Sequence, residues 1–172
     1  MKSNLFNPAW LAVALAMIFV AGCTSISLES NKDPASVRTL RRVFILISAS
    51  DTKDQTLATS LETAFRECFT NATPVVEVAI TSPLDLDEHA LTSRMVRFTP
   101  DAVLTVSAKS RVVDTYGNYP RIVYDASLFD PIAKKRIWRA SIENAGSTEV
   151  MDWRMREMAE KIVQQLHQDG FL

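Results

Sequence analysis

The chain has 172 residues, 47% of them hydrophobic, with 19 basic and 20 acidic side chains and a formal net charge of −1. That length suits one ordinary domain with a sizeable core. The near-neutral balance argues against nucleic acid, whose binders carry a clear basic excess. Two histidines, His89 and His167, far apart in sequence, exclude a His-rich metal site.

Residues 1–22 have the layout of a secretory signal: a positive end at Lys2, then the uncharged run "AWLAVALAMIFVA" from Ala9 to Ala21. As a helix that run spans about 20 Å, short of the roughly 30 Å hydrocarbon core, so a cleaved signal fits better than a permanent span. The small pair Ala21 and Gly22 precedes Cys23, and "VAGC" resembles the bacterial lipobox, with Val20 in place of its usual leucine. The resemblance implies cleavage between Gly22 and Cys23. It also implies a diacylglycerol on the Cys23 thiol and an N-acyl chain, such as palmitate, on the new terminus. These lipids are the only attached groups expected, with no further cofactor. Two or three acyl chains at about 0.8 kcal/mol per buried methylene make such anchoring effectively permanent. The alternative is an ordinary signal peptide with an incidental cysteine. Thr24, not Asp, follows Cys23, which in enteric-type bacteria implies the outer membrane, with the domain facing the periplasm. Removing Lys2 with the signal leaves 18 basic against 20 acidic groups in 150 residues, and Cys68 as the remaining thiol.

Residues 23–40 read as the lipidated cysteine followed by a flexible tether, because "TSISLESNKDPASVRT" is polar, weakly periodic and contains Pro34. A domain over 41–172 follows. "RRVFILISAS" places five apolar residues in succession, Val43 to Ile47, as in a strand covered on both faces. Leu57, Leu61, Ala64, Phe65, Cys68 and Phe69 recur at helical spacing behind a cap at Asp51 or Thr52. Cys68 on that stripe reads as a small core residue. "PVVEVAI" is a second strand, and "LDEHALTSRMVRF" a helix with Leu91 and Met95 inward and His89 on its polar side. A long strand from Ala102 to about Asp114, the turn "DTYGNYP", and the strands "RIVYDASLFD" and "RIWRASIEN" make an antiparallel meander, their connections being too short for crossovers. The tail is an amphipathic helix with Met151, Met155, Met158, Ala159, Ile162, Val163 and Leu166 on one stripe, Ser147 or Thr148 to cap it and Gly170 to end it. The expected fold is one α/β domain, β-α-β-α-β-β-β-α, with a five-stranded mixed sheet and helices mainly on one face.

Alternation along the meander separates two faces. Leu104, Val106, Ala108, Ile122, Tyr124, Ala126, Leu128, Trp138, Ala140 and Ile142 should hold the helices. Thr105, Ser107, Lys109, Arg111, Val123, Asp125, Ser127, Arg139, Ser141 and Glu143 face away and are too polar to bury without partners. That second face is either solvated, with weak cross-strand charge pairs, or a docking surface for another envelope protein. The candidate contact residues are Lys109, Arg111, Arg121, Asp125 and Arg139, the turn tyrosines Tyr116 and Tyr119, and Trp153, which stands off the buried stripe of the last helix and is equally suited to a staple against the preceding loop.

Nothing assembles a catalytic site: there is no G-x-S-x-G elbow, P-loop or H-E-x-x-H. "DLDE", Asp85 to Glu88, lacks the glycine and ligand spacing of a calcium loop, and suits a helix start. A non-enzymatic protein is expected. The segment "ASLFDPIAKKRIWRA", through Asp130, Lys135 and Trp138, is similar to a stretch in three groups of small periplasmic α/β domains. These are the curli secretion lipoprotein, the outer-membrane activators of penicillin-binding proteins, and the amino-terminal domain of TolB. The resemblance covers about residues 41–168 and implies a fold group. The amphipathic hairpins with which curli-type proteins build a pore are missing, against a secretion channel. The leading expectation is an outer-membrane lipoprotein acting as an assembly or regulatory factor through an envelope protein partner. The alternative is a carrier of a lipid or glycan fragment, which requires a pocket above roughly 300 Å³ between sheet and helices. Oligomeric state is left open.

Overall fold

In the computed structural model, the described residues are 25–70, 73–83, 85, 88–116, 121–145 and 151–172. They form strands β1 (Ser25–Lys32), β2 (Arg42–Ser48), β3 (Val75–Thr81), β4 (Ala102–Val112), β5 (Arg121–Asp130) and β6 (Lys135–Ala145). Helices α1 (Thr52–Cys68), α2 (Glu88–Phe98) and α3 (Met151–Gln168) accompany them, with a 3₁₀ turn at Pro34–Ser36. The sheet order is β1-β6-β5-β4-β2-β3. β3 and β4 run parallel to β2, whereas β4-β5, β5-β6 and β6-β1 are antiparallel.

The sixth strand corrects the expected five. It comes from the stretch expected to be a tether: Ser25 to Lys32 pairs residue for residue with β6, from Ser25 opposite Ala145 to Lys32 opposite Trp138. Its alternation is hidden because only the first inward positions, Ile26 and Leu28, are apolar. The next two, Ser30 and Lys32, are satisfied by Asp169 beyond α3, the Ser30 hydroxyl at 3.1 Å and the Lys32 ammonium on the Asp169 carbonyl at 2.9 Å. The element order therefore begins with a strand and a 3₁₀ turn ahead of the expected series.

The connections place the helices. A chain leaving β2 for β3 and returning past β2 to β4 makes two crossovers in opposite directions. Because parallel crossovers are right-handed, α1 and α2 must lie on opposite faces. On the first face α1 and α3 cover Val43, Ile45, Ile47, Leu104, Val106, Ile122, Ala126, Leu128, Trp138, Ala140 and Ile142, all buried. Each large side chain fully buried there contributes roughly 1.5–3 kcal/mol. α1 starts where Asp51 accepts from the Asp54 amide at 2.9 Å. α3 ends where Gly170, at φ +84°, lets the Phe171 amide reach the Leu166 carbonyl and its own amide the His167 carbonyl, a Schellman closure. On the second face α2 packs Phe98 on Phe44, Ala79 and Val103, with Leu91 and Met95 at the margin. The Phe44 and Phe98 rings meet edge to face at 5.9 Å. The consecutive apolar residues of β2 thus serve two cores.

A candidate docking face on the sheet

α2 covers only the β3-β2-β4 end of the second face. The rest, from β4 across β5 and β6 to β1, carries Thr105, Ser107 and Lys109, then Val123, Asp125 and Ser127, then Arg139, Ser141 and Glu143. β1 adds Glu29 and Asn31, which lie opposite Ser141 and Arg139. Two diagonal ion pairs cross it, Arg139 Nε to Asp125 Oδ1 at 2.7 Å and Arg121 Nη2 to Glu143 Oε2 at 2.6 Å. A shallow depression of about 310 Å³ lies among Glu29, Asn31, Lys109, Asp125, Arg139 and Ser141.

Of the residues the sequence assigns to this face, Lys109, Arg121, Asp125 and Arg139 lie on it. Arg111 does not. β4 carries an irregularity between Ala108 and Ser110, and beyond it Arg111 stands opposite Ile122, a buried residue of the helix-covered side. One extra residue in a strand inverts the alternation after it. Arg111 there pairs with the carboxylate of Asp54 in the first turn of α1, and its guanidinium lies 3.2 Å from the Ser50 hydroxyl. Asp54, buried, also accepts from the Ser50 amide at 3.0 Å and from the Ser50 hydroxyl. Sequence reasoning missed this cluster, since no periodic signal announces a bulge.

Tyr116, 88% exposed, is at the β4-β5 turn, and Trp153, 41% exposed, in the first turn of α3. Tyr119, Gly22, Cys23 and the caps Ser147 and Thr148 lie outside the described residues. Cys68 is half-buried at the edge of the core, and burial, with Glu160 and Glu67 nearby, pushes its thiol pKa up. His89 and His167 are exposed.

The resemblance residues bind the β1–β2 connection and the segment after α3 to the sheet. Asp130 accepts from the amides of Ile132 and Ala133 and from Arg38 at 2.7 Å. The Ala133 amide foremost, then Arg38 and Ile132, hold its carboxyl below the ordinary value against the opposing effect of burial. Lys135 reaches Asp33 at 2.7 Å and, with the Ser36 hydroxyl and the Ala35 amide, draws that carboxyl down to about 2. Trp138 Nε1 donates to Asp169 at 2.7 Å. Burial raises the Asp169 pKa, but hydrogen bonds from Trp138, Gln165, Ser30 and Lys32 outweigh it and leave the group below its ordinary value.

Between sheet and helices the cavity beside Tyr124, Asp54 and Ser48 holds only about 10 Å³, room for one water at most. The Tyr124 hydroxyl is buried there without a hydrogen-bond partner among the described residues, and burial, then the Asp54 charge, pushes its pKa far up while Arg111 opposes. A larger hollow of about 560 Å³ is an open groove on the outer side of α1 and α3, lined by no sheet residue. Among the described residues no cluster of three or more His, Cys, Asp or Glu is placed to hold a metal, and no helix is long and apolar enough to cross a membrane.

No protein-family model and no curated protein matches the sequence. Among solved structures the chain is similar to a PelC dodecamer from Paraburkholderia phytofirmans, 12% identical over 86% of this chain and 100% of that one, with a TM-score of 0.54. PelC from the same organism in another crystal form is 13% identical over 86% and 99%, with a TM-score of 0.50. The lipoprotein GNA1162 from Neisseria meningitidis is 17% identical over 74% of this chain and 98% of that one, with a TM-score of 0.44. At such identities the likeness to PelC shows a shared fold.

Proposed function

We propose that this chain is a non-enzymatic bacterial envelope lipoprotein, held to the outer membrane by acyl chains on Cys23. It acts in the periplasm as an assembly or regulatory factor that docks another envelope protein on its bare sheet face. The observation that carries the reading is the half-covered second face. α2 is packed where β2, β3 and β4 offer Phe44, Ala79 and Val103, and four strands' width beside it presents an ordered array of opposite charges. Surface pairs of this kind contribute about 0–1 kcal/mol to stability and are better suited to steering and orienting a partner of complementary charge. The envelope assignment rests on "VAGC" and on the resemblance of residues 41–168 to the curli, penicillin-binding-protein activator and TolB group. The cavity between sheet and α1 beside Tyr124, about 10 Å³ among the described residues, is far below the roughly 300 Å³ a ligand requires, which speaks against the carrier alternative.

The test is site-specific photocrosslinking in intact cells from Lys109, Arg139 and Ser141, with Glu160 on α3 as the comparison site. One recurrent envelope protein captured from the sheet sites and not from Glu160 is the expected result. Capture of a defined protein from Glu160 alone would defeat the docking assignment. Capture of a second copy of the chain would replace the foreign partner by self-assembly, the arrangement found in PelC.

A further inference from the structure

We infer that the domain rests on the lipid surface at one end of its sheet and does not hang from it on a slack tether. The contact is made by Val112, Val113, Tyr116 and Trp153. The inference builds on acylation of Cys23 as proposed above. Ser25 is already part of β1, paired with Ala145, and two residues of extended chain reach at most about 7 Å. Acyl chains on Cys23 therefore bring the Ser25 end of the sheet to within that distance of the headgroups.

The register names what else lies at that level. Ser25 faces Ala145, Ala145 faces Arg121, and Arg121 faces Val112, a row across four strands. β4 continues from Val112 into Val113 and Tyr116, all exposed. The first turn of α3 is tied to the same end, since Arg154 donates to Asn144 Oδ1 at 3.1 Å and to the Ala145 carbonyl at 3.0 Å, and Trp153 is its neighbour. A Trp, a Tyr and two valines thus stand exposed beside the point where the lipids attach. Tyr and Trp favour the membrane–water interface, having an apolar ring body and a polar tip. Among the described residues the ionisable groups near them are Asp51, Asp114, Asp152 and Arg154, with the paired Arg121 and Glu143 and the paired Arg111 and Asp54, and they carry no basic excess. The contact is consequently apolar, and binding should not tighten when anionic lipid is added.

The opposite end supplies the control. Ile132, 85% exposed, lies in the β5-β6 turn, and Trp138, fully buried, lies opposite Lys32, about 23 Å along β1 from Ser25 at 3.3 Å per residue. After signal removal Trp138 and Trp153 are the two tryptophans left. The experiment takes the mature acylated protein in phosphatidylethanolamine–phosphatidylcholine vesicles containing brominated lipid. Trp153 emission should be quenched, and Trp153→Phe should leave the Trp138 emission unaffected. In that background Tyr116→Trp should restore quenching and Ile132→Trp should not. Acylated, vesicle-bound protein without quenching at positions 153 and 116, or with equal quenching at position 132, overturns the inference and leaves the lipoprotein reading intact. A mature chain whose mass shows an unmodified Cys23 removes that reading and the inference together.

Discussion

The two halves of the second sheet face make an instructive pair, because one strand supplies both. β4 gives Val103 to the half under α2, then Thr105, Ser107 and Lys109 to the half that no described helix covers. The crossover from β3 to β4 obliges α2 to lie near β2, and eleven helical residues reach only about 16 Å. Beyond that reach most positions turn polar, with Val112, Val123 and Phe129 as the apolar exceptions, so this half is prepared for water or a wet partner. On the first face the same four strands meet α1 and α3 with an apolar set. Substitutions that are severe on the covered face and mild on the bare one would confirm that contrast.

The largest effect belongs to the covered face. Leu128→Ala, at a fully buried site, is expected to cost about 3 kcal/mol in urea unfolding; a loss under about 1 kcal/mol would mean that α1 and α3 pack loosely there. Asp54→Ala, which removes the carboxylate paired with the Arg111 guanidinium on the covered side, should cost a similar or slightly smaller amount, about 3 kcal/mol. Were Arg111 on the bare face, the loss would stay below about 1 kcal/mol.

Gly170→Ala comes next. A side chain at φ +84°, with its Cβ 2.9 Å from Val37 Cγ1, should cost about 1–2 kcal/mol, seen as a lower thermal midpoint. A smaller effect emerges only in acid. The carboxyls of Asp33, Asp130 and Asp169 are depressed in the fold, so their contributions are complete above the ordinary value near 3.8 and are lost as pH falls toward the folded value, about 2 for Asp33. The unfolded chain takes up protons first, and stability drops. Replacing Asp130 or Asp169 with Asn should flatten the decline of unfolding free energy between about pH 5 and 2; an unchanged slope would remove these groups from the acid limb. The smallest change is expected on the bare face, where Arg139→Ala should shift stability by less than about 0.5 kcal/mol while reducing crosslinking from Ser141. A loss as large as that of Asp54→Ala would show the array to be structural.

Much of the fold was legible in the sequence. Five apolar residues in a row in β2, the stripe of α3 and the alternation of β5 and β6 are direct consequences of which positions must leave water, and each element appears within one or two residues of its expected bounds. The helix-bearing face was named correctly from Leu104 to Ile142 for the same reason. β1 escaped because half of its inward positions are a serine and a lysine, whose partner Asp169 lies more than a hundred residues away. Arg111 was misplaced because a bulge shifts alternation by one residue at no visible cost in composition. The split of α1 and α2 between faces came from the handedness of crossovers and the order of strands, which a list of elements does not contain. Local hydrophobic pattern is written residue by residue and is readable there. Register, strand order and long-range polar pairing depend on which distant groups satisfy one another, and only the assembled chain decides that.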